Sequence, residues 1–167
     1  MIIGPRRAAL IASIAAVGLT IVLYPLIVET PIDVNKFDIT LTGISASVDP
    51  NNDQNLILKP TFTVTNHNDR TLTTSKIDYD IMANGTKVAS GSLSYEDVPL
   101  NGRPALFTDS SIPVTDSTTM QYSDSNAALF KAIRANSTSL NWSVQGSTDI
   151  ESGTTLVSKT FSSNLQK

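Results

Sequence analysis

The dipeptide Asn84-Gly85 stands between two runs in which apolar and polar side chains alternate: Ile77, Tyr79 and Ile81 before it, Val88, Leu93 and Tyr95 after it. A two-residue hairpin of type I′ needs φ > 0 at both central positions, and Asn-Gly is the pair that tolerates this best. The dipeptide therefore predicts two antiparallel strands joined at residues 84 and 85. Upstream, Leu56, Leu58, Phe62 and Val64 alternate in the same way, so another half-buried strand precedes the hairpin across a polar connection. A period of two is incompatible with an amphipathic helix, and the stretch Leu56 to Val98 writes the nucleus of a β-sandwich.

The pattern extends in both directions. Phe37, Ile39 and Leu41 alternate, the phase slips at Gly43, and Ile44, Ala46 and Val48 resume it, as expected of a bulge. Asp49 to Asn55 reads as a loop, Pro99 to Gly102 as a turn, and Leu106 to Val114 as a short strand that Pro113 confines to a sheet edge. Asp124 or Ser125 caps one helix over Asn126 to Ala135, with Leu129, Phe130 and Ile133 toward the core. Leu140, Trp142, Val144 and Ile150 form a further strand and Thr154 to Phe161 the last. The expected fold is mostly β: an antiparallel sandwich of about seven strands, fibronectin III- or Ig-like, with one short helix. About 138 residues after the first 29 suffice for one such domain.

A different physics governs the start of the chain. Ala8 to Val28 contains no Asp, Glu, Lys, Arg or His. As a helix it would be about 32 Å long, which matches a hydrocarbon core of about 30 Å. The apolar run exceeds the core of a cleavable signal peptide and no small-x-small site follows it before Glu29, so it is read as an uncleaved transmembrane helix, with Pro25 bending its outer end. Arg6-Arg7 before it and Glu29 and Asp33 after it orient the N-terminus to the cytoplasm and the domain to the exterior. The expected division is a cytoplasmic N-terminus (1–7), a transmembrane helix (8–28), a linker (29–36) and the sandwich domain (37–167).

Three stretches carry a resemblance. Val64-Thr65-Asn66-His67-Asn68, then Ile77-Asp78-Tyr79-Asp80, then Asn84-Gly85-Thr86-Lys87-Val88-Ala89-Ser90-Gly91 resemble the late embryogenesis abundant type-2 family, also called the WHy domain. In that family a strand ends in Asn-Pro-Asn, a strand with a central tyrosine follows, and a glycine hairpin comes next; here His67 stands in place of the proline. The resemblance covers roughly Phe37 to Ser162. It implies a non-enzymatic β-sandwich module, often membrane-tethered and associated with stress or desiccation.

The residues themselves point to no catalysis. Twelve Lys/Arg oppose fifteen Asp/Glu; without Arg6, Arg7 and Glu29 the portion from Thr30 on has ten against fourteen, a net charge of about −4 that gives nucleic acid no footprint. There is no cysteine, which removes disulfides, thiolate metal sites and thiol nucleophiles together. His67, the sole histidine, reads as a turn residue between two asparagines rather than a catalytic base. Asp49, Asn51, Asp53 and Asn55 mimic half of a calcium loop, but Gln54 stands where its glycine belongs and Pro60 where its glutamate belongs, so the run reads as Asx turns. Asp78 and Asp80 read as the solvated face of a strand, and Phe62, Tyr79 and Trp142 as core. No cofactor or metal is expected.

Two further sets of residues bear on partners. Ala8, Ala12, Ala16, Thr20 and Tyr24 recur every four residues and form a stripe on the apolar helix of the kind that favours helix–helix packing in a bilayer. Asn84-Gly-Thr86, Asn136-Ser-Thr138 and Asn141-Trp-Ser143 are N-glycosylation triplets, with Asn84 favoured at an accessible hairpin tip. The expected function is that of a membrane-anchored module displayed outside the cell, protective or interactive. The alternative is a single-span accessory subunit of a larger membrane complex. The lipid bilayer is the expected partner in both, joined in the second by other subunits through the helix.

Overall fold

The alternating residues named above form strands, except Tyr95, which follows the end of its strand at Ser94, and Leu140, which precedes the start of its strand at Trp142. The computed structural model describes residues 4–28, 31–99, 102–136 and 139–165, giving the backbone alone for 24–28. The chain divides into two units, Met1–Pro31 and Ile32–Lys167.

The first unit is helix α1, Pro5–Val28. Proline at its first position removes an N–H that has no intrahelical partner there. Arg6 and Arg7 fall in its first turn rather than before it, and the helical backbone continues through Pro25 to Val28. The helix is long and apolar enough to cross a membrane, a property that a signal sequence near the N-terminus shares. Ser13 and Thr20 donate their hydroxyls to the carbonyls of Ala9 and Ala16, both at 2.9 Å, so neither leaves a free donor on the surface.

The second unit is a sandwich of two antiparallel sheets. Its strands are β1 (Phe37–Asp49), β2 (Asn52–Asn66), β3 (Leu72–Ala83), β4 (Thr86–Ser94), β5 (Ala105–Leu106), β6 (Ser110–Thr115), β7 (Thr118–Gln121), β8 (Trp142–Ser152) and β9 (Thr155–Asn164), with helix α2 (Ala127–Arg134) between β7 and β8. In one sheet β2 lies between β1 and a broken third strand, whose halves β6 and β7 pair with successive parts of β2. In the other the order is β4-β3-β8-β9, and β5 extends the β4 side by pairing with Leu72 and Thr73. Nine strands thus fill seven positions.

Along β2 the inward residues are Leu56, Leu58, Pro60, Phe62, Val64 and Asn66; along β3 they include Ile77, Tyr79, Ile81 and Ala83. Phe37, Leu41, Leu56, Leu58, Phe62, Leu72, Ile81, Leu106 and Ile150 retain no exposed surface. At roughly 1.5–3 kcal/mol for each fully buried large aliphatic or aromatic side chain, this layer is the main favourable term in folding. Phe130 and Ile133 of α2 complete it, with Leu129 at the margin.

Several local expectations are met. β1 is bulged against β2 between Leu41 and Gly43. Pro113 lies on β6, where the lack of an N–H costs no ladder bond at the sheet edge. Asn84 has φ 50° and Gly85 φ 77°, as the I′ turn demands. Others are corrected. The loop expected over Asp49 to Asn55 is a tight turn, and β2 begins at Asn52. The strand expected over Leu106 to Val114 is two strands separated by a turn at Phe107, Thr108 and Asp109. The helix is entered through a short 3-10 turn whose N-cap is Ser123, not Asp124 or Ser125: Asn126 Oδ1 accepts the Ser123 N–H at 2.9 Å. Of the turn at Pro99 to Gly102, the closing bond from Gly102 N to Pro99 O (2.7 Å) is described, whereas Leu100 and Asn101 lie outside the described residues.

The hairpin yields a prediction. Gly85→Val forces a β-branched residue to φ 77° and should cost the domain about 1 kcal/mol or more, whereas Asn84→Asp keeps an oxygen at Oδ1 and should cost less. Thermal unfolding of the full chain checks this; equal and negligible shifts would mean that this turn does not constrain β3 and β4.

Candidate functional site

The corner between β2 and β3 carries the chain from one sheet to the other. The inward alternation of β2 ends on Asn66, which has no exposed surface, and Asn68 two residues on is 3% exposed. A buried primary amide must satisfy both ends. The Asn66 Nδ2 group donates to the carbonyls of Arg70 (2.8 Å), Leu106 (3.0 Å) and Phe107 (3.2 Å), while its Oδ1 accepts the N–H of Asn68 (2.9 Å). Asn68 grips the entering segment: its Oδ1 accepts from Asp33 N (2.9 Å), and its Nδ2 donates to Asp33 O (3.2 Å) and Lys36 O (3.4 Å). Ile32, just before, is buried in the core. His67 points the other way. Its backbone N–H donates to Lys36 O at 2.7 Å, and its exposed ring lies 3.4 Å from the exposed Asp109 carboxylate, consistent with a turn residue.

A second fastening lies at the opposite edge. Tyr79 is paired with Gly91 on one side and Gly146 on the other. A Cβ on Gly91 would come within 2.2 Å of the Tyr79 ring, and one on Gly146 within 2.0 Å of the Asp78 carbonyl oxygen. Gly91 thus makes room for the ring and Gly146 for the backbone of β3; the ring meets Phe62 edge-on at 5.0 Å and reaches with its hydroxyl to Asp116 Oδ2 (2.8 Å) in the break between β6 and β7. Burial, and then the neighbouring Asp116 carboxylate, push the Tyr79 hydroxyl well above the usual tyrosine range. Beside it Thr118 Oγ1 donates to Ser90 O (2.5 Å). Along the other edge Ser163 Oγ accepts from Leu41 N (2.9 Å), and Lys159 Nζ bonds to Phe37 O.

Both outer faces are polar. On the first sheet Thr61 meets Thr115 (3.1 Å), Thr63 meets Thr42 (3.2 Å) and Thr65 meets Ser111 (2.8 Å). On the second, Asp78 and Asp80 stand in solvent as expected, paired with Lys76 (2.9 Å) and Lys87 (2.8 Å). Ser92 and then Lys76 hold the Asp78 carboxyl below the usual carboxylate range; Lys87 and then Ser90 do the same for Asp80. The Asp49 to Asn55 run is built of Asx turns: Asp49 Oδ1 accepts Asn51 N (2.9 Å) and Asn52 Oδ1 accepts Gln54 N (3.0 Å). Phe62 and Tyr79 are core, and Trp142 is half-buried at its margin.

The structure joins two glycosylation candidates that the sequence holds 57 positions apart. Asn84 N donates to Asn141 O (2.8 Å), and Asn141 N donates to Asn84 Oδ1 (2.9 Å). With Trp142 these residues line an open cleft of about 700 Å³ at the hairpin end of the sandwich. Asn136 is not part of it; it sits exposed at the exit of α2 with φ 52°, and Ser137 and Thr138 lie outside the described residues. On α1, Ala8, Ala12, Ala16 and Thr20 are exposed, and the Tyr24 side chain lies outside the description. The signal that could have paired Asn84 with Asn141 is slight: both flank inward-alternating strands at a point where a register could be guessed.

Two predictions follow from these fastenings. Asn66→Ala leaves three carbonyls and one N–H of the corner without their present partner, and should cost about 3 kcal/mol or more, a fall in Tm of about 10 °C; thermal unfolding of the full chain measures it, with exposed Asn164→Ala as the near-neutral control. Tyr79→Phe should cost about 1–2 kcal/mol at neutral pH. Because the folded-state pKa of Tyr79 is raised, its contribution is complete below the ordinary tyrosine value of 10.0 and is lost as pH rises above it. The stability difference between wild type and Tyr79→Phe should therefore shrink between pH 9 and 11; a difference independent of pH would contradict the buried, neutral phenol.

No family model matches the chain, and no curated protein matches it. Solved structures do. A protein from Archaeoglobus fulgidus is 19% identical, with 75% of this chain and 94% of that one covered and a TM-score of 0.44. A protein from Arabidopsis thaliana is 13% identical, with coverage of 76% and 80% and a TM-score of 0.48. A chain provisionally assigned to the late embryogenesis abundant (LEA) proteins is 14% identical, with coverage of 96% and 86% and a TM-score of 0.31.

Proposed function

We propose that this protein is a non-enzymatic, single-pass membrane-anchored β-sandwich module of the LEA type-2 or WHy kind, displayed outside the cell with its N-terminus in the cytoplasm, and protective or interactive in role. The observation that carries the reading is the corner at Asn66 and Asn68. Two of the residues in which the chain resembles that family, Asn66 and Asn68, have side chains that tie the first sheet, the β5–β6 turn and the entering segment together. The apolar helix α1 supports the anchor, and Arg6-Arg7 at its start supports the orientation. Outer faces of threonine, serine and paired charges support a domain that stays solvated.

One observation favours a second reading, that of an accessory subunit in a membrane complex. Ala8, Ala12, Ala16 and Thr20 share a helix face, and the Thr20 hydroxyl is folded back onto Ala16 O, so the stripe is smooth enough for another helix to approach closely.

A single preparation tests both. Protease added to intact cells should remove the domain and spare an N-terminal tag; a soluble, secreted chain beginning near Thr30 would overturn the anchor. The same membranes, solubilised mildly, should release the protein at monomer size under the first reading and with a large assembly under the second.

A further inference from the structure

The cleft at the hairpin end is distinguished by what it lacks. Among the described residues its lining includes no ionisable side chain. Its apolar part is the half-buried Trp142, beside Leu140 and Leu165. Around this stand Asn84, Asn141, Ser143 and Asn164. The Asn84 amide is fixed by the bond its Oδ1 accepts from Asn141 N (2.9 Å), which engages its oxygen and leaves its NH2 group as a donor. The side-chain amides of Asn141 and Asn164 take no protein hydrogen bond among the described residues. The outer face of the second sheet, by contrast, spends its polar groups on one another: Lys76 with Asp78, Lys87 and Ser90 with Asp80.

We propose that this cleft binds a neutral saccharide. An indole face attracts the polarised C–H groups on one side of a sugar ring, by the same quadrupole that attracts cations. Carboxamides each offer donors and an acceptor on one plane, which suits neighbouring hydroxyls that both give and take a hydrogen bond. A described lining without a charged side chain has no ion to desolvate and favours a neutral ligand over a charged one. The pre-bonded Asn84 and the backbone ladder between residues 83–84 and 141–142 hold these groups in place before the ligand arrives. The saccharide has two conceivable sources with the same chemistry: a glycan from outside, or one attached to the chain at Asn84 or Asn141.

Trp142 is the only tryptophan in the chain, so its fluorescence reports on this cleft alone. The test uses the full chain from a host that attaches no N-glycan, held in zwitterionic lipid vesicles, which add no tryptophan, because sugar-headed detergents would compete. Short oligomers of glucose, mannose, galactose and N-acetylglucosamine are titrated, with oligogalacturonate as the charged control. At least one neutral oligomer should give a saturable change in Trp142 emission. Asn141→Ala and Asn164→Ala should each weaken it about tenfold, the worth of an amide hydrogen bond or two, with thermal unfolding unchanged. Trp142→Phe, followed by calorimetry, should lose most of the binding heat. In the second arm, the chain from an N-glycosylating host is compared before and after enzymatic deglycosylation. Trp142 shielded from iodide only while the glycan is attached assigns the site to the chain's own glycan. The proposal is overturned by the absence of any saturable change with every neutral oligomer together with an unshielded Trp142 in the second arm, by equal binding of the charged control, or by variants that bind as wild type does.

Discussion

Asn66 has to be satisfied where it is, and much of the domain's connectivity is the means of satisfying it. Its amide has no exposed surface. Leaving such a group unpaired costs several kcal/mol, a sizeable part of the whole stability of a domain this size. Its partners come from three separate places: Arg70 just past the corner, Leu106 and Phe107 at the β5–β6 turn, and Asn68, which in turn holds Asp33 and Lys36. None of these segments has an extended ladder of its own at that point. The buried amide substitutes for one, and so it locates the β5–β6 turn on the end of a sheet to which β5 contributes only two residues.

The two sheets are then closed at their edges by different means. On the β4–β7 side a phenol spans the gap, and this requires that β4 present Gly91 rather than a side chain to the Tyr79 ring. The hydroxyl ends on Asp116 in the break between β6 and β7. That break is useful. A continuous strand would spend the backbone of Asp116 and Ser117 on β2, whereas the interruption lets Asp116 turn toward Tyr79 while Pro60 O still receives the Asp116 N–H at 3.2 Å. On the β1–β9 side the closure is by side chains meeting backbone, Ser163 with Leu41 and Lys159 with Phe37.

What can be read from the sequence divides along the same line. Alternation within a strand, the φ > 0 pair at Asn84-Gly85, the slip at Gly43 and the edge position of Pro113 are local consequences of residue type, and each follows from the residues alone. The roles of Gly91 and Gly146 do not, because the first is needed by the Tyr79 ring and the second by the backbone of Asp78 on another strand, and which glycine meets which residue depends on register. β7 is equally hidden: Thr118 to Gln121 has one inward apolar residue, Met120, and becomes a strand only because Leu56 and its neighbours on β2 offer an unpaired edge. Ser123 escapes for a smaller reason. Four consecutive residues, Ser123 to Asn126, can all cap, and which one does so depends on the Asn126 side chain bonding to both Ser123 N and Gln121 O. The cleft at Asn84, Asn141 and Trp142 is the least legible, being made by strands whose pairing no local pattern reports.

The histidine at the middle of Asn66-His67-Asn68 can be weighed physically against a proline in the same place. A proline at position 67 would restrict the unfolded chain and stabilise the fold by about 0.4–1 kcal/mol where its φ is accommodated. It would also lack an N–H. In this chain the His67 N–H donates to Lys36 O at 2.7 Å, a bond whose net worth is about 0.5–1.5 kcal/mol. The two contributions are of one size, so the exchange leaves the stability of the corner nearly unchanged while moving its origin from the unfolded state to the folded one. The flanking asparagines allow no such exchange, because both side chains are themselves buried and each bonds several backbone groups. A corner of this kind therefore tolerates change at its middle residue, whose ring faces solvent beside Asp109, and resists it at the residues on either side.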